Sequence, residues 1–206
     1  MKIKNDNDLA IASREAGQIL QDIQDYLSSK NLIRSEVQEA KVRFPRGFIR
    51  TASSQKPRLR FIKNKILGSN VAYNIMLSDT IMWLLNRTDI AGIAKGMLFK
   101  VQIIIVAAIV ESLTKEYLKK ICGDSYRFKN RTEFLVKKDI ISQKLKEKLD
   151  WIWDKRSNNI HLFKLDESEY SNDYTKDNHI KCISSLRELL QDLNTKKLTS
   201  VSSGTL

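Results

Sequence analysis

The sequence predicts an all-α fold, and three observations carry the prediction. Only seven glycines and two prolines occur in 206 residues. An all-β sandwich turns roughly every 8–12 residues and draws on both residue types to do so, so that class is excluded. Apolar residues recur at spacings of three and four along several long stretches, the period of an amphipathic helix. Hydrophobic residues make up 42% and charged residues 29%, a globular balance. At 23.8 kDa the default is one core with appendages.

The elements follow in order. Residues 8–28 carry Leu9, Ile11, Ala12, Ala16, Ile19, Leu20, Ile23 and Leu27 at helical spacing, with Asn7 or Asp8 as the expected cap. Residues 40–78 read as a basic, irregular connector: both prolines fall there, and helical spacing resumes only over 70–87. The longest helix is expected over 92–121. Its middle, VQIIIVAAIV at 101–110, is apolar nearly all round, as a central bundle helix would be, and Gly123 stands where a left-handed cap belongs. Residues 123–139 read as a polar loop with one short helical turn. A further amphipathic helix over 141–162 shows Ile141, Leu145, Leu149, Ile152 and Trp153 on one side. The last helix is expected over 176–193, with Ile180, Ile183, Leu186, Leu190 and Leu193 as its stripe. The polar tail 196–206 is expected to be disordered.

Charge narrows the partners. Lys+Arg 36 against Asp+Glu 24 gives a net charge of +12, which favours a polyanion through its field and through counterion release; a surplus for solubility is the plainer explanation. Between Glu39 and Asp79 there is no acidic residue, while Lys41, Arg43, Arg46, Arg50, Lys56, Arg58, Arg60, Lys63 and Lys65 leave nine positive charges unanswered locally. Phe44, Phe48 and Phe61 lie among them. Cations interleaved with aromatic rings suit an RNA backbone and its bases, so Arg43, Arg46, Arg50, Arg58, Arg60 and Lys63, with Lys155 further on, are the candidate RNA-binding residues. A linker that is merely basic is the alternative. Cys122 and Cys182 have no metal or disulfide spacing and fit a reducing cytoplasm. The N-terminus lacks a leader's apolar centre, and the ten-residue run at 101–110 is too short to cross a bilayer, so no membrane association is expected.

Most catalytic signatures are missing. GIAKG at 92–96 lacks the context of a phosphate loop, there is no HExxH, and two dispersed histidines with two cysteines make no zinc site. No metal and no cofactor is expected. What stands out is RSNNIH at 156–161, closing an amphipathic helix. Metal-free RNA cleavage needs a base for the 2′-hydroxyl proton and a cation for charge growing on phosphate. Histidine and arginine are the natural pair for those tasks. On an ideal helix Ser157 and His161 share a face, whereas Arg156 sits about 140° round from His161. One helix does not easily aim both at one phosphate; two helices packed about a two-fold axis can. The alternative is structural: His161 favoured by the helix C-terminus and Arg156 in a salt bridge.

In Arg156, Ser157 and His161, one loop after the helix bearing Glu111, the chain resembles the HEPN superfamily of helical ribonucleases. That family places Arg, a polar residue, a short gap and His at the end of the third helix of a four-helix up-and-down bundle. The resemblance covers roughly residues 68–195, with IVAAIVESLTKEYL like the second helix and KLKEKLDWIWDKRSNNIHLF like the third. It implies an HEPN-like bundle at 68–195 preceded by an N-terminal helix and basic connector at 1–67. It also implies a metal-independent endoribonuclease that dimerises through the motif, acts as a toxin or phage-defence effector, and leaves 2′,3′-cyclic phosphate ends. Arg156, His161 and Ser157 would be catalytic. Glu111 would orient the Arg or the His, unless it is an ordinary helix-surface residue. An antitoxin or inhibitor protein is an implied partner. One departure matters: members held in check by adenylylation carry a Tyr two residues after the His, and this chain has Phe163 there. His179 fits no motif and is expected at the surface; Trp151 and Trp153 are expected in the core or an interface. The alternative function is a non-catalytic helical module that binds RNA or protein.

Overall fold

The structure is a computed structural model that describes residues 2–42, 49–122, 126–159 and 174–196. Among these residues it is all-helical, with no strand. The α-helices are α1 (Asp6–Ser29), α2 (Ala52–Gln55), α3 (Lys65–Arg87), α4 (Gly92–Cys122), α5 (Phe128–Lys137), α6 (Gln143–Asn159) and α7 (Lys176–Thr195). Short 3-10 turns lie at Gln38–Ala40 and Lys56–Leu59. The chain divides into two compact units, residues 1–45 and 46–206.

In the first unit Asn5, rather than Asn7 or Asp8, caps α1: its Oδ1 accepts from the Asp8 backbone N–H at 2.8 Å. The chain reverses through Asn31, whose φ of 57° lies in the left-handed region. Val37 and Ala40 then line an open apolar hollow with Ile19, Ile23 and Leu27. No residue of α1 is buried.

In the second unit, contact pairs fix the helix directions. Buried Gln102 donates from Nε2 to Ser78 Oγ at 2.5 Å, and Phe61, just before α3, packs edge-on against Tyr117, so α3 and α4 run antiparallel. Phe99 packs on His179, and Tyr117 Oη donates to the Lys196 carbonyl. That offset is nearly constant, so α4 and α7 run parallel. Lys148 pairs with Glu188, and Lys181 lies over the Trp151 ring, so α6 is antiparallel to α7 and hence to α4. The helices α3, α4, α6 and α7 thus alternate in direction around α4. Ile103, Val106, Val110, Leu113, Leu145, Leu149, Ile152 and Leu189 form the centre of the core.

Three boundaries differ from the sequence expectation. Asn64 accepts from the backbone N–H groups of Ile66 and Leu67, so α3 starts at Lys65, five residues early. Within the expected 123–139 loop, Phe128–Lys137 is a full ten-residue helix. Its charges hide an apolar side, and it buries Phe128 and Leu135 with Arg131 and Thr132. Residues 52–59, inside the supposed irregular connector, form α2 and a 3-10 turn and bury Gln55 and Leu59. Over Gly92–Ile121 helix α4 is long and apolar enough to cross a membrane by length and composition, more than its ten-residue centre implied, and 56% of its most apolar stretch is buried inside the protein. Gly123, the tail from residue 197 and the segment 160–173 lie outside the described residues.

Candidate active site

Helix α6 begins under Ser142, whose hydroxyl accepts from the Leu145 backbone N–H at 3.0 Å. It delivers Arg156 in its last turn. Trp153 lies three residues back, on the same side of the helix, and the Arg156 guanidinium sits over its ring at 4.9 Å. Trp153 stacks in turn on Phe128 of α5, with centroids 4.7 Å apart and planes 14° from parallel. Beneath Phe128 lies buried Arg131, 5.7 Å from that ring, donating to the Tyr126 carbonyl and to Thr114 Oγ1. Arginine, tryptophan, phenylalanine and arginine thus form one layered pile.

Glu111 of α4 closes the other side. Its Oε2 accepts from Arg156 Nη1 at 2.5 Å. The two side chains are 25% and 34% exposed, so the pair is partly covered. A guanidinium carries five donors in one plane. Glu111 takes one edge and Trp153 fixes the plane, which presets how the remaining donors meet an incoming anion. The structure therefore brings together Arg156 and Glu111. Ser157 is exposed. His161 and Phe163 lie outside the described residues. The pile was missed from sequence, yet it had a trace there: Phe128–Arg131 and Trp153–Arg156 are both aromatic–arginine pairs three apart.

The basic segment is less free than its charge count implied. Asp79, buried on α3, accepts from Arg50 at both carboxylate oxygens, at 3.0 and 3.1 Å. The first acid after the basic run therefore answers one of its cations. Arg58 is partly buried and contacts Gln55 Oε1; burial and the charges of Arg50 and Arg187 pull its pKa down, against Asp79. Phe61 packs against Tyr117. Arg60 and Lys63 are exposed, Lys155 is half-buried, and Arg43 and Arg46 lie outside the described residues.

His179 corrects the sequence reading. It is only 7% exposed, on the α7 face that meets α4. Ile180, expected in the buried stripe, is 52% exposed instead. Among the described residues no group of three His, Cys, Asp or Glu side chains gathers to hold a metal ion. No family model matches the chain, and no curated protein or solved structure matches it either.

Proposed function

We propose that this chain is an HEPN-like, metal-independent endoribonuclease, with Arg156 and His161 as its catalytic pair. The reading rests on the RSNNIH motif, and one observation supports it most: Arg156, partly covered at the end of α6, is oriented by Glu111 and Trp153. In this mechanism His161 removes the 2′-hydroxyl proton, and that oxygen attacks the adjacent phosphorus. The 5′-oxygen leaves with a proton, giving 2′,3′-cyclic phosphate and 5′-hydroxyl ends. Arg156 steadies the charge on the phosphate oxygens. Glu111 acts as a positioning residue through Arg156. Two chains packed through α6 and α4 would supply both motifs to one cleft, in keeping with cytoplasmic action as a toxin or defence effector restrained by a partner protein.

The test is incubation of the purified protein with total RNA in EDTA. His161→Ala and Arg156→Ala should each abolish cleavage with the melting temperature little changed. Cleavage by the folded double variant, or strict dependence on a divalent metal, overturns the reading. The Arg156–Glu111 pair also favours a second reading, a helical binding module in which this ion pair only pins α6 to α4. Glu111→Gln separates the two. As a positioning residue its loss lowers the cleavage rate at saturating RNA; as a pin its loss lowers stability and leaves RNA binding intact.

A further inference from the structure

At the end of the bundle where α4 and α7 both begin and α3 finishes, a cavity of about 430 Å³ opens between the three helices. That volume lies in the range of small-molecule sites, roughly 300–1,000 Å³. It is separate from the Arg156–Glu111 pair: Glu111 stands twelve residues beyond Phe99 on α4, about 18 Å along the axis. Met82, Leu85, Phe99 and Ile183 form its apolar wall. Among the described residues, Lys95, Lys176 and Arg187 are its charged lining residues. Among the described residues, none of these three cationic side chains has an ion-pair or hydrogen-bond partner, and none of the lining residues is a carboxylate. The first turns of two parallel helices also turn the positive ends of their dipoles to the same place.

A second observation is independent of the charge. The His179 ring lines this cavity, is 93% buried as the complement of its 7% exposure, and its Nε2 has no hydrogen-bond partner. A buried, unsatisfied ring nitrogen is costly, and a ligand atom that reaches it through a small turn of the ring relieves that cost. Asn86 and Ser184 add neutral donors and acceptors beside it. A fatty acid would satisfy the cations and the apolar wall, but would lay hydrocarbon against that nitrogen. A phosphate ester whose body is a polar heterocycle satisfies all three groups.

We propose that this cavity binds a small phosphate ester of a heterocycle, with the phosphate held by Lys95, Lys176 and Arg187 and the ring held beside His179. The ester is either a free molecule or the phosphorylated end of a nucleic acid, and the chemistry is the same in both.

The test uses the full chain carrying His161→Ala, so that its outcome does not depend on RNA cleavage. Titration calorimetry with the four common ribonucleoside monophosphates, their parent nucleosides and inorganic phosphate should give saturable binding of at least one monophosphate. Its nucleoside and inorganic phosphate should bind at least tenfold more weakly. Lys95→Ala with Lys176→Ala should weaken the monophosphate at least tenfold with the fold intact, since neither side chain has a structural partner. His179→Phe should erase the preference for the ester over inorganic phosphate. A 5′-phosphorylated oligonucleotide that competes, where its 5′-hydroxyl twin does not, identifies the nucleic-acid end as a source; failure to compete leaves the free ester. No saturable binding of any monophosphate up to about 1 mM, or affinity unchanged in the double lysine variant, overturns the proposal.

Discussion

At the scale of single residues, His179 and Asp79 show how a position's chemistry is set by what packs on it. Burial pushes the His179 pKa from its ordinary value of 6.5 down to about 4. The unfolded chain therefore binds the proton more readily than the folded one between those values. Stability from neutral His179 is complete above about pH 6.5 and is lost as pH falls toward 4. His179→Phe should accordingly flatten the acid limb of the stability profile by about 3 kcal/mol between pH 7 and pH 4, read from urea unfolding at each pH. An identical pH dependence in variant and parent counts against the buried neutral imidazole. None of this was legible in sequence. A lone histidine near a helix start has no pattern of its own, and its burial depends on where Phe99 of α4 arrives. Arg156 and Glu111 were both singled out, because position near a helix end and on the central helix is a local property. The Arg50–Asp79 pair joins residues 29 apart, and only the packing of the basic segment on α3 reveals it.

At the scale of elements, what was readable was the long periodic stripes. The helices expected over 8–28, 70–87, 92–121 and 176–193 all form, within a few residues at each end. Of the stretch at 141–162, Gln143–Asn159 forms as α6, and Ile141 and Ser142 lie before it. Their caps were harder, because Asn5 and Asn64 lie outside the apolar stretches that announce their helices. Helix α5 was missed for a clearer reason. Ten residues give too few turns for a stripe to show, and FKNRTEFLVK reads as charged. Its contribution is large all the same. Phe128 is 4% exposed and lies between Trp153 and Arg131. Phe128→Ala should destabilise the protein by about 3–4 kcal/mol in chemical denaturation. It should also remove the surface that holds Trp153 flat under Arg156, so on the nuclease reading cleavage falls even where the protein remains folded. A loss below about 1 kcal/mol would mean that α5 merely covers the bundle.

At the scale of the whole molecule, the net charge of +12 remains the feature that any partner meets first. Arg60 and Lys63, like Lys56 and Lys65, are exposed cations of the basic segment without an ion pair among the described residues, whereas Arg50 is committed to Asp79. If both contact phosphate, replacing both with Ala should reduce the slope of log affinity against log salt by about 1.4 for single-stranded RNA. Filter binding at several salt concentrations reads it, and an unchanged slope removes this segment from the RNA path. The division of the chain at residue 45 has a thermodynamic consequence of another kind. Heat capacity of unfolding tracks the apolar surface newly exposed to water, and α1 buries no residue. The fold of α1 then adds little to that heat capacity, while its twenty-four residues still contribute fully to helical ellipticity. Circular dichroism and calorimetry therefore weigh different parts of this one chain.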